Sequence, residues 1–216
     1  MVKIIKQILF MALGVTITGI GASLSVKAAV GIGAWDALSL SVSTVIGMKI
    51  GTFSMIMNIS CVVIQLVMLG KKFKPLMFLQ VFVAILLGYV VNFMIYEVLA
   101  GVVIEPYYLN MLLYLTGILI IIFGVANIMS INFISFPLEG ACTVISERYH
   151  INFGKVRQWA DILSVLIALA VSFVFSTDLT VREGTIIGMF LFGPLLHQFM
   201  LILKPRLREL GLVSED

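Results

Sequence analysis

Few side chains that can bind or transfer charge fall within the apolar parts of this 216-residue chain. Two are acids that begin short apolar runs: Asp36 in "GIGAWDALSLSVSTVIG" and Glu139 in "SFPLEGACTVISERYHINFG". Two more, Asn58 and Asp161, lie a little way inside longer apolar segments. An ionisable group at the centre of a membrane helix costs about 2.5–3.5 kcal/mol on insertion scales, so such groups mark functional sites by default. An acid-rich site with few basic partners favours a cation, a proton-coupled substrate or a neutral solute with hydroxyl groups.

Each of these acids also has a structural interpretation. Asp36 and Glu139 lie in the first turn of the short helix that each run predicts, where the helix dipole favours a negative charge. Asp161 lies one turn after Arg157 on the same predicted helix face, a spacing at which the two side chains can form an ion pair. Capping and binding roles are compatible for Asp36 and Glu139, and Asp161 remains a candidate for either an ion pair or a binding residue.

Three further side chains are predicted to serve the same site. Trp35 is interpreted as a residue of the interfacial aromatic belt or as a stacking wall for substrate. Asn127, three residues after Gly124, is a candidate cavity-lining amide in a segment suited to close helix packing. His197 is the candidate proton relay because imidazole titrates near neutral pH, although a histidine near a helix end is more commonly structural.

The sequence contains no recognisable catalytic motif. It contains no Ser/His/Asp arrangement, phosphate-binding loop, HExxH or CxxC motif. Cys61 and Cys142 fall in no metal-ligating pattern and are interpreted as small buried hydrophobic residues. We therefore expect no enzyme activity, no cofactor and no metal. A net charge of +3 without a basic stripe also argues against nucleic acid as a partner.

Composition defines the elements that must position these residues. Hydrophobic residues make up 61% of the chain and charged residues 12%, and the mean hydropathy is +1.16. Soluble domains carry about 25% charged residues, so the chain is predicted to be an all-α polytopic membrane protein. Six segments are long enough to span a bilayer: 5–26, 52–70, 76–98, 108–129, 157–176 and 184–203.

The distribution of lysine and arginine predicts the orientation of these spans. With the N-terminus inside, the outer side receives Lys27, Lys49 and Arg182, and the other eleven of the fourteen basic residues fall inside. This split follows the positive-inside rule. If both short runs also crossed the membrane, the split would be nine to five, which fits less well. Both termini are therefore predicted to be cytoplasmic.

A shift of the chain against itself by 103 residues reveals an internal repeat. It aligns Gly14 with Gly117, Gly21 with Gly124, Gly51 with Gly154, Asp36 with Glu139 and Asn58 with Asp161. Three spans per half turn the second copy over, which predicts an inverted-topology repeat with the substrate site near the midplane. The predicted units are two membrane repeats, 1–103 and 104–204, and a cytoplasmic tail, 205–216.

Each half contains one short apolar run between its first and second spans. The first run begins at Gly31 and Gly33 and the second at Pro137, and a glycine follows each run. Irregular backbone at membrane depth is tolerated where protein buries it or water lines it, so a pair of re-entrant half-helices implies a cavity. The alternative is a pair of amphipathic helices lying in the interface on opposite sides of the membrane.

Several spaced motifs resemble the YczE/YyaS/YitT family of bacterial integral membrane proteins over about residues 10–200. They are "AAVGIGAWDALSLSVSTVIGMKIGTFSMIMN", "FPLEGACTVISERYHINFGKVRQWADI" and "REGTIIGMFLFGPLLHQF". Ala34 stands where the family has proline, which loosens the start of the first short helix. Longer members of the family carry a soluble C-terminal domain, which this chain is expected to lack.

The resemblance implies a permease-like protein of the bacterial cytoplasmic, or inner, membrane without naming a substrate. Together with the repeat, it favours an ion-gradient-driven transporter of a small polar or amphipathic metabolite. The alternatives are an accessory or scaffold protein that modulates a partner enzyme or complex, and a passive channel. The predicted partners are the lipid bilayer and an unidentified small molecule, and a homodimer is compatible with the sequence.

Overall fold

The structure, a computed structural model, describes residues 2–213 as helices joined by short connections, with no β-strand in that range. Eight α-helices follow one another: α1 (Val2–Ala28), α2 (Ala34–Ile46), α3 (Ile50–Leu69), α4 (Leu79–Phe93), α5 (Tyr107–Ile131), α6 (Pro137–Tyr149), α7 (Phe153–Val174) and α8 (Glu183–Glu209). Two 3₁₀ segments (Gly70–Lys72 and Pro75–Phe78) lead into α4, and a π-helical turn (Met94–Val98) follows it.

Six of these helices are long and apolar enough to cross a membrane, which confirms the six predicted segments. The two others, α2 and α6, have 13 residues each. A helix of that length is about 20 Å long and cannot cross a hydrocarbon core of about 30 Å. Helix α8 continues through Pro205 to Glu209, beyond the predicted end of its segment. A proline within a helix removes a backbone donor and favours a kink, but here it does not end the helix.

Helices α1 and α5 form the central pair of the bundle, and glycines let them approach closely. A Cβ atom at Gly124 would lie 2.8 Å from the carbonyl oxygen of Gly14, and one at Gly21 would lie 2.6 Å from that of Gly117. Real Cβ atoms essentially never come this close to another residue's backbone. Small residues at these positions are therefore what allows the two backbones to touch.

The remaining helices are arranged around this pair in two groups. In the first group, α4 packs on α1 and α8 packs on α5, which gives a row in the order α4, α1, α5, α8. In the second group, which we call the four-helix ring, α2 and α6 each pack on both α3 and α7. Helix α3 also packs on α4, and this contact joins the ring to the row.

The connection between α1 and α2 is bound to the start of α8. The backbone N–H of Gly184 donates to the carbonyl of Val30 at 2.8 Å, and that of Ile32 donates to Oγ1 of Thr185 at 3.2 Å. Gly31 between them has a φ of +120°, and a Cβ there would lie 2.5 Å from the Thr185 nitrogen. Glycine is required at this position by both the backbone conformation and the close approach.

Candidate functional site

Four charged side chains meet in the four-helix ring, and we refer to them as the charged cluster: Asp36 of α2, Glu139 of α6, and Arg157 and Asp161 of α7. The Nε atom of Arg157 lies 3.5 Å from Oε1 of Glu139, and its Nη1 atom donates to Oδ1 of Asp161. These three side chains are only 15–23% exposed, so the ion pairs are shielded from solvent. One guanidinium thus joins acids from two different helices.

Asp36 completes the cluster but has no ion pair among residues 2–213. It lies on α2, outside the six spanning helices, within electrostatic range of Arg157, Asp161 and Glu139. Burial raises the pKa of the Asp36 carboxyl from 3.8 to about 6; Arg157 opposes this rise and the two neighbouring carboxylates add to it. Asp36 therefore changes its charge closer to neutral pH than an ordinary aspartate does.

The starts of α2 and α6 place the two acids from the short helices. Gly33 and Phe136 precede these helices with extended backbone (ψ 147° and 150°) and form no side-chain capping hydrogen bond. Pro137 is the first residue of α6, where its fixed φ suits a helix start. Asp36 and Glu139 follow in the first turn, where backbone N–H groups lack partners within the helix and favour a negative charge.

Helix α7 supplies the other half of the cluster from one face. Arg157 and Asp161 are four residues apart, and their ion pair confirms the pairing that this spacing predicts. The helix begins after Asn152, whose side chain accepts a hydrogen bond from the Gly154 N–H at 2.9 Å. Asp161 lies about 12 Å along the axis from the first residue of α7, at a rise of 1.5 Å per residue. It therefore lies well inside the span.

Trp35, next to Asp36, packs inside the ring and not on its surface. Its indole contacts an apolar cluster to which α3 contributes Cys61, α6 contributes Leu138 and Cys142, and α7 contributes Val156. The indole N–H is buried and has no hydrogen-bond partner among residues 2–213. A buried donor without a partner is uncommon. Trp35 therefore adds an aromatic face and an unused N–H group beside the charged cluster, while its role in binding substrate stays a prediction.

Asn58 lies on the buried face of α3 that also carries Ser54, Cys61 and Gln65. It is 4% exposed, and its Nδ2 donates to the Ser54 carbonyl at 2.9 Å and to the Ser54 hydroxyl at 3.3 Å. This face packs on α6, the helix that carries Glu139. Asn58 is therefore buried on the face of α3 that packs on α6, and its role in binding stays a prediction.

Asn127 and His197 lie apart from the charged cluster. Asn127 is on α5, and its Nδ2 donates to the Phe123 carbonyl of the same helix at 2.8 Å. His197 is on the exposed side of α8, where it lines a surface cavity of about 600 Å³ with Lys204 and Arg208. The predicted roles of a cavity-lining amide and a proton relay are therefore not linked to the charged cluster by any contact and stay predictions.

Sequence reasoning missed two buried glutamines and the wider role of Arg157. Nε2 of Gln65 donates to Oε1 of Gln80 at 2.8 Å and to the carbonyl of Pro137 at 3.0 Å, and Nε2 of Gln80 donates back to Oε1 of Gln65 at 3.1 Å. Both side chains are at most 2% exposed. One glutamine inside each of two predicted spans was the signal available in the sequence. The contact of Arg157 with α6 had no such signal, because it depends on helix packing.

The charged cluster is suited to holding a proton or a cation. Three carboxylates and one guanidinium carry a formal charge of −2 when all four are ionised. The two neighbouring carboxylates disfavour the charged form of Asp36, so a proton or another cation at Asp36 relieves their repulsion. Within residues 2–213, no group of three or more His, Cys, Asp or Glu side chains is placed to hold a metal ion. The chemistry that the geometry favours is therefore reversible protonation or electrostatic binding.

The fold and this site define the class of the protein, a multi-pass α-helical membrane protein that encloses a charged cluster among its helices. The chain belongs to the family of unknown function DUF6198, which matches residues 5–201. It is similar to the uncharacterized protein YyaS of Bacillus subtilis (strain 168), with 22% identity over 198 residues, or 91% of this chain and 93% of that protein. These matches confirm the predicted resemblance. No solved structure matches the chain.

Proposed function

We propose that the protein is a secondary transporter that moves a small polar or amphipathic metabolite across the bacterial cytoplasmic membrane, driven by an ion gradient. The observation that carries this proposal is the charged cluster. Acids on both short helices lie next to one arginine, Arg157, inside a bundle of apolar spans. Charged groups at membrane depth are costly and typically mark a path for substrate, ions or protons. The proposal assigns these residues to binding and not to catalysis.

Reciprocal contacts in the central helix pair support an inverted repeat. Gly14 approaches Gly124, and Gly21 approaches Gly117. A shift of 103 residues converts Gly14 into Gly117 and Gly21 into Gly124, so the two contacts are exchanged by the repeat. When two residues touch across a twofold axis, their counterparts must touch as well. The axis would pass between α1 and α5.

The packing of the other helices supports the same symmetry. Under the repeat, α1 to α4 correspond to α5 to α8. The pairing of α1 with α4 then has its counterpart in that of α5 with α8, and the pairing of α2 with α7 in that of α6 with α3. Helices α2 and α3 pack together as α6 and α7 do. Transporters built on such repeats bind substrate between the two halves, and this is where the four-helix ring places the charged cluster.

The position of the acids supports half-helices that enter the membrane from opposite sides. Helices lying flat on the two surfaces would be separated by a hydrocarbon core of about 30 Å. Glu139 lies 3.5 Å from Arg157, and Asp36 is close enough to Arg157 for the charge on Arg157 to act on its carboxyl. Both acids can meet one arginine only if α2 and α6 reach toward the same depth. We therefore favour the re-entrant arrangement over the interfacial one.

The charge of the site supports a cationic substrate or one carried together with protons. Arg157 balances one of three carboxylates, and Asp36, without an ion pair, is the acid best placed to exchange a proton or a cation. A raised pKa is what a group needs if it is to release and rebind protons near neutral pH. The positive-inside rule places the N-terminus, the connection between α3 and α4, and the end of α8 in the cytoplasm.

Two measurements test the proposal. A thermal-shift screen of the purified protein against metabolites should find ligands that raise its melting temperature, because a ligand that binds the native state stabilises it. In proteoliposomes, Asp36→Asn and Glu139→Gln should each abolish uptake of that ligand without loss of folded protein. Glu105→Gln, which changes an exposed acid in the connection between α4 and α5, is the matched control and should transport normally. Unchanged uptake in both cluster variants would contradict a transport role for the charged cluster and would favour an accessory protein.

A further inference from the structure

The end of the four-helix ring on the proposed inner side is closed by hydrogen bonds that the repeat does not duplicate. We refer to Gln65 of α3, Gln80 of α4 and the Pro137 carbonyl of α6 as the amide bridge. The two amides donate to each other at 2.8 and 3.1 Å, and Gln65 also donates to Pro137 at 3.0 Å. Gly140 makes room for this contact, because a Cβ there would lie 2.7 Å from Oε1 of Gln65. The bridge therefore ties three helices together at one end of the ring.

The corresponding positions at the other end of the ring carry no such bridge. A shift of 103 residues takes Gln65 to Ala168 and Gln80 to Glu183. Ala168 is buried against Ala37 of α2 and has no polar group. Glu183 is exposed and accepts a hydrogen bond from the hydroxyl of Tyr107, at 2.6 Å. The two ends of the ring are therefore held by different interactions, although their backbones correspond.

The helix packing differs between the two ends in the same sense. Helix α4 packs on α3 and also contacts α6. Its counterpart α8 does not pack to a comparable extent on α7 or on α2, which are the counterparts of α3 and α6. A cavity of about 270 Å³ lies on this second side, between α2 and the connection from α7 to α8. Its lining includes the polar side chains of Ser41, Thr44, Thr177, Asp178 and Arg182. Thus one end of the ring is closed by buried amides, whereas the other borders a cavity with a mixed polar and apolar lining and is joined by hydroxyl groups, with Ser41 and Thr180 2.6 Å apart.

We propose that the amide bridge is the inner gate of the transport path, which must break before the charged cluster becomes accessible from the cytoplasm. This inference rests on the proposed transport function and adds its regulation. The structure is then a state closed on the inner side, and an inverted repeat can reach a state open on the inner side by exchanging the conformations of its halves. A buried amide pair suits a gate because each amide must find a new hydrogen-bond partner when the helices separate. Partial separation would leave buried amides without partners, so the closed state is distinct from the open one.

Two native cysteines can report on this gate, so no cysteine has to be introduced. Cys61 precedes Gln65 by one turn on α3, and Cys142 lies on α6 in the same apolar cluster. Both are free thiols with at most 3% exposure. Burial raises the pKa of Cys142 to about 11, so the closed state presents little of the thiolate that maleimides attack. Opening of the inner end should expose these thiols to water and accelerate their modification.

The experiment measures labelling of the full-length protein by a membrane-impermeant maleimide, in inside-out and right-side-out vesicles, with the modified cysteine located by mass spectrometry. Gln65→Ala installs the residue that the second half carries at the corresponding position, Ala168. Gln80→Ala removes the other amide independently. Loss of a hydrogen bond of ordinary strength should shift the closed–open equilibrium by about fivefold or more. Each variant should therefore be labelled about fivefold faster from the inner side, with no change from the outer side.

Asn92→Ala is the matched control for loosened packing of the same helix pair. Asn92 accepts from the Gly51 N–H and donates to the Thr52 hydroxyl, both at 2.9 Å, and so joins α4 to α3 at their other end. This variant should leave inner-side labelling unchanged. An equal acceleration in Asn92→Ala, acceleration from the outer side, or no acceleration in either folded glutamine variant would each overturn the gate. Size-exclusion chromatography identifies the variants that fold, and the two glutamine substitutions reach the same bridge from different helices.

Labelling needs no substrate, so the gate and the transport function can fail separately. Faster inner labelling in Gln65→Ala, together with normal uptake in Asp36→Asn, would retain a gated structure and reject transport through the charged cluster. Lost uptake in Asp36→Asn, together with unchanged labelling in both glutamine variants, would reject the gate and retain the transporter.

Discussion

The two halves of the chain place different chemistry at corresponding positions of the four-helix ring. Ser54 and Asn58 of α3 correspond to Arg157 and Asp161 of α7 under the 103-residue shift. In the first half the two side chains are neutral and bond to each other within one helix. In the second half they are charged and reach a third residue, Glu139, on another helix. A similar backbone arrangement thus carries a neutral wall on one side of the ring and an ionic wall on the other.

The charge balance of the charged cluster is therefore set by the second half alone. The short helices contribute one acid each to the cluster, Asp36 and Glu139, so these two corresponding positions carry the same charge. Only α7 adds a guanidinium and a third carboxylate. Under the proposed inverted repeat, symmetry would bring the two acids together, and the difference between α3 and α7 would decide how they are compensated.

Removal of Arg157 should have the largest effect on stability. Arg157→Met leaves Glu139 and Asp161 as partly buried acids without a counter-ion and should destabilise the protein by about 3 kcal/mol. Ser54→Ala, the change at the corresponding position of α3, should cost less than about 1 kcal/mol, since it removes one neutral hydrogen bond. Thermal unfolding in one detergent at constant pH compares the two. Equal losses would show that the ionic wall is no more important than the neutral one.

Charged side chains on α3 should be tolerated only when an acid and a base are introduced together as an ion pair. Asn58→Asp adds a fourth carboxylate to the ring and should cost about 2.5 kcal/mol, the insertion cost of an aspartate at the centre of a helix. The double variant S54R/N58D recreates the four-residue spacing of Arg157 and Asp161 and should recover part of that loss. A double-mutant cycle of melting temperatures measures the coupling. A double variant less stable than Asn58→Asp would mean that the walls of α3 and α7 are not equivalent in shape.

Substitution of the central glycines should affect the two halves equally. Gly21→Ala and Gly124→Ala, at positions that the 103-residue shift exchanges, each place a Cβ within 2.6–2.8 Å of the opposing backbone oxygen and should each cost about 1–2 kcal/mol through displaced helices. Gly193→Ala is the control, because a Cβ there meets nothing within 4 Å. It should not destabilise α8, since alanine favours a helix more than glycine does. Clearly unequal losses at residues 21 and 124 would argue against a twofold axis between α1 and α5.

The pH dependence of stability should report the charge of Asp36. Its pKa is about 6 in the folded protein and near 3.8 in an ordinary environment, so its contribution is fully present below pH 3.8 and lost as the pH rises through 6. Relative to Asp36→Asn, the wild type should lose about 1 kcal/mol between pH 4 and pH 7, a value reduced for partial exposure. Arg157, Glu139 and Asp161 face Asp36 and are kept unchanged. A constant difference across this range would remove Asp36 as the titrating group.

The spans, and the three acids of the charged cluster as candidate residues, could be predicted because they depend on local patterns. Long apolar segments predict the six spanning helices directly, and their ends differ from the structure by a few residues, as at α8, where Pro205 lies inside the helix. The pair of Arg157 and Asp161 follows from four-residue spacing on one helix. Asp36 and Glu139 could be placed together only by adding the repeat to these patterns.

The remaining features depend on which helix faces which, and no local pattern contains that. The contact of Arg157 with Glu139 and the amide bridge of Gln65 and Gln80 join different helices. Trp35 has the composition of a membrane-interface residue, yet it packs within the ring because α2 inserts between α3 and α7. Asn127 and His197 show the converse. Each is a polar side chain within a predicted span, but the packing places both away from the charged cluster.

The reciprocal glycine contact between α1 and α5 bears on how such a protein could arise. If the proposed inverted repeat exchanges the two contacts, two identical three-span chains inserted in opposite orientations would form the same interface. A gene for such a chain would yield an antiparallel dimer before any duplication, provided that both orientations were populated. Fusion of two copies would then fix one orientation of each half. After fusion the halves could diverge, with an arginine and an aspartate retained on one side of the ring only.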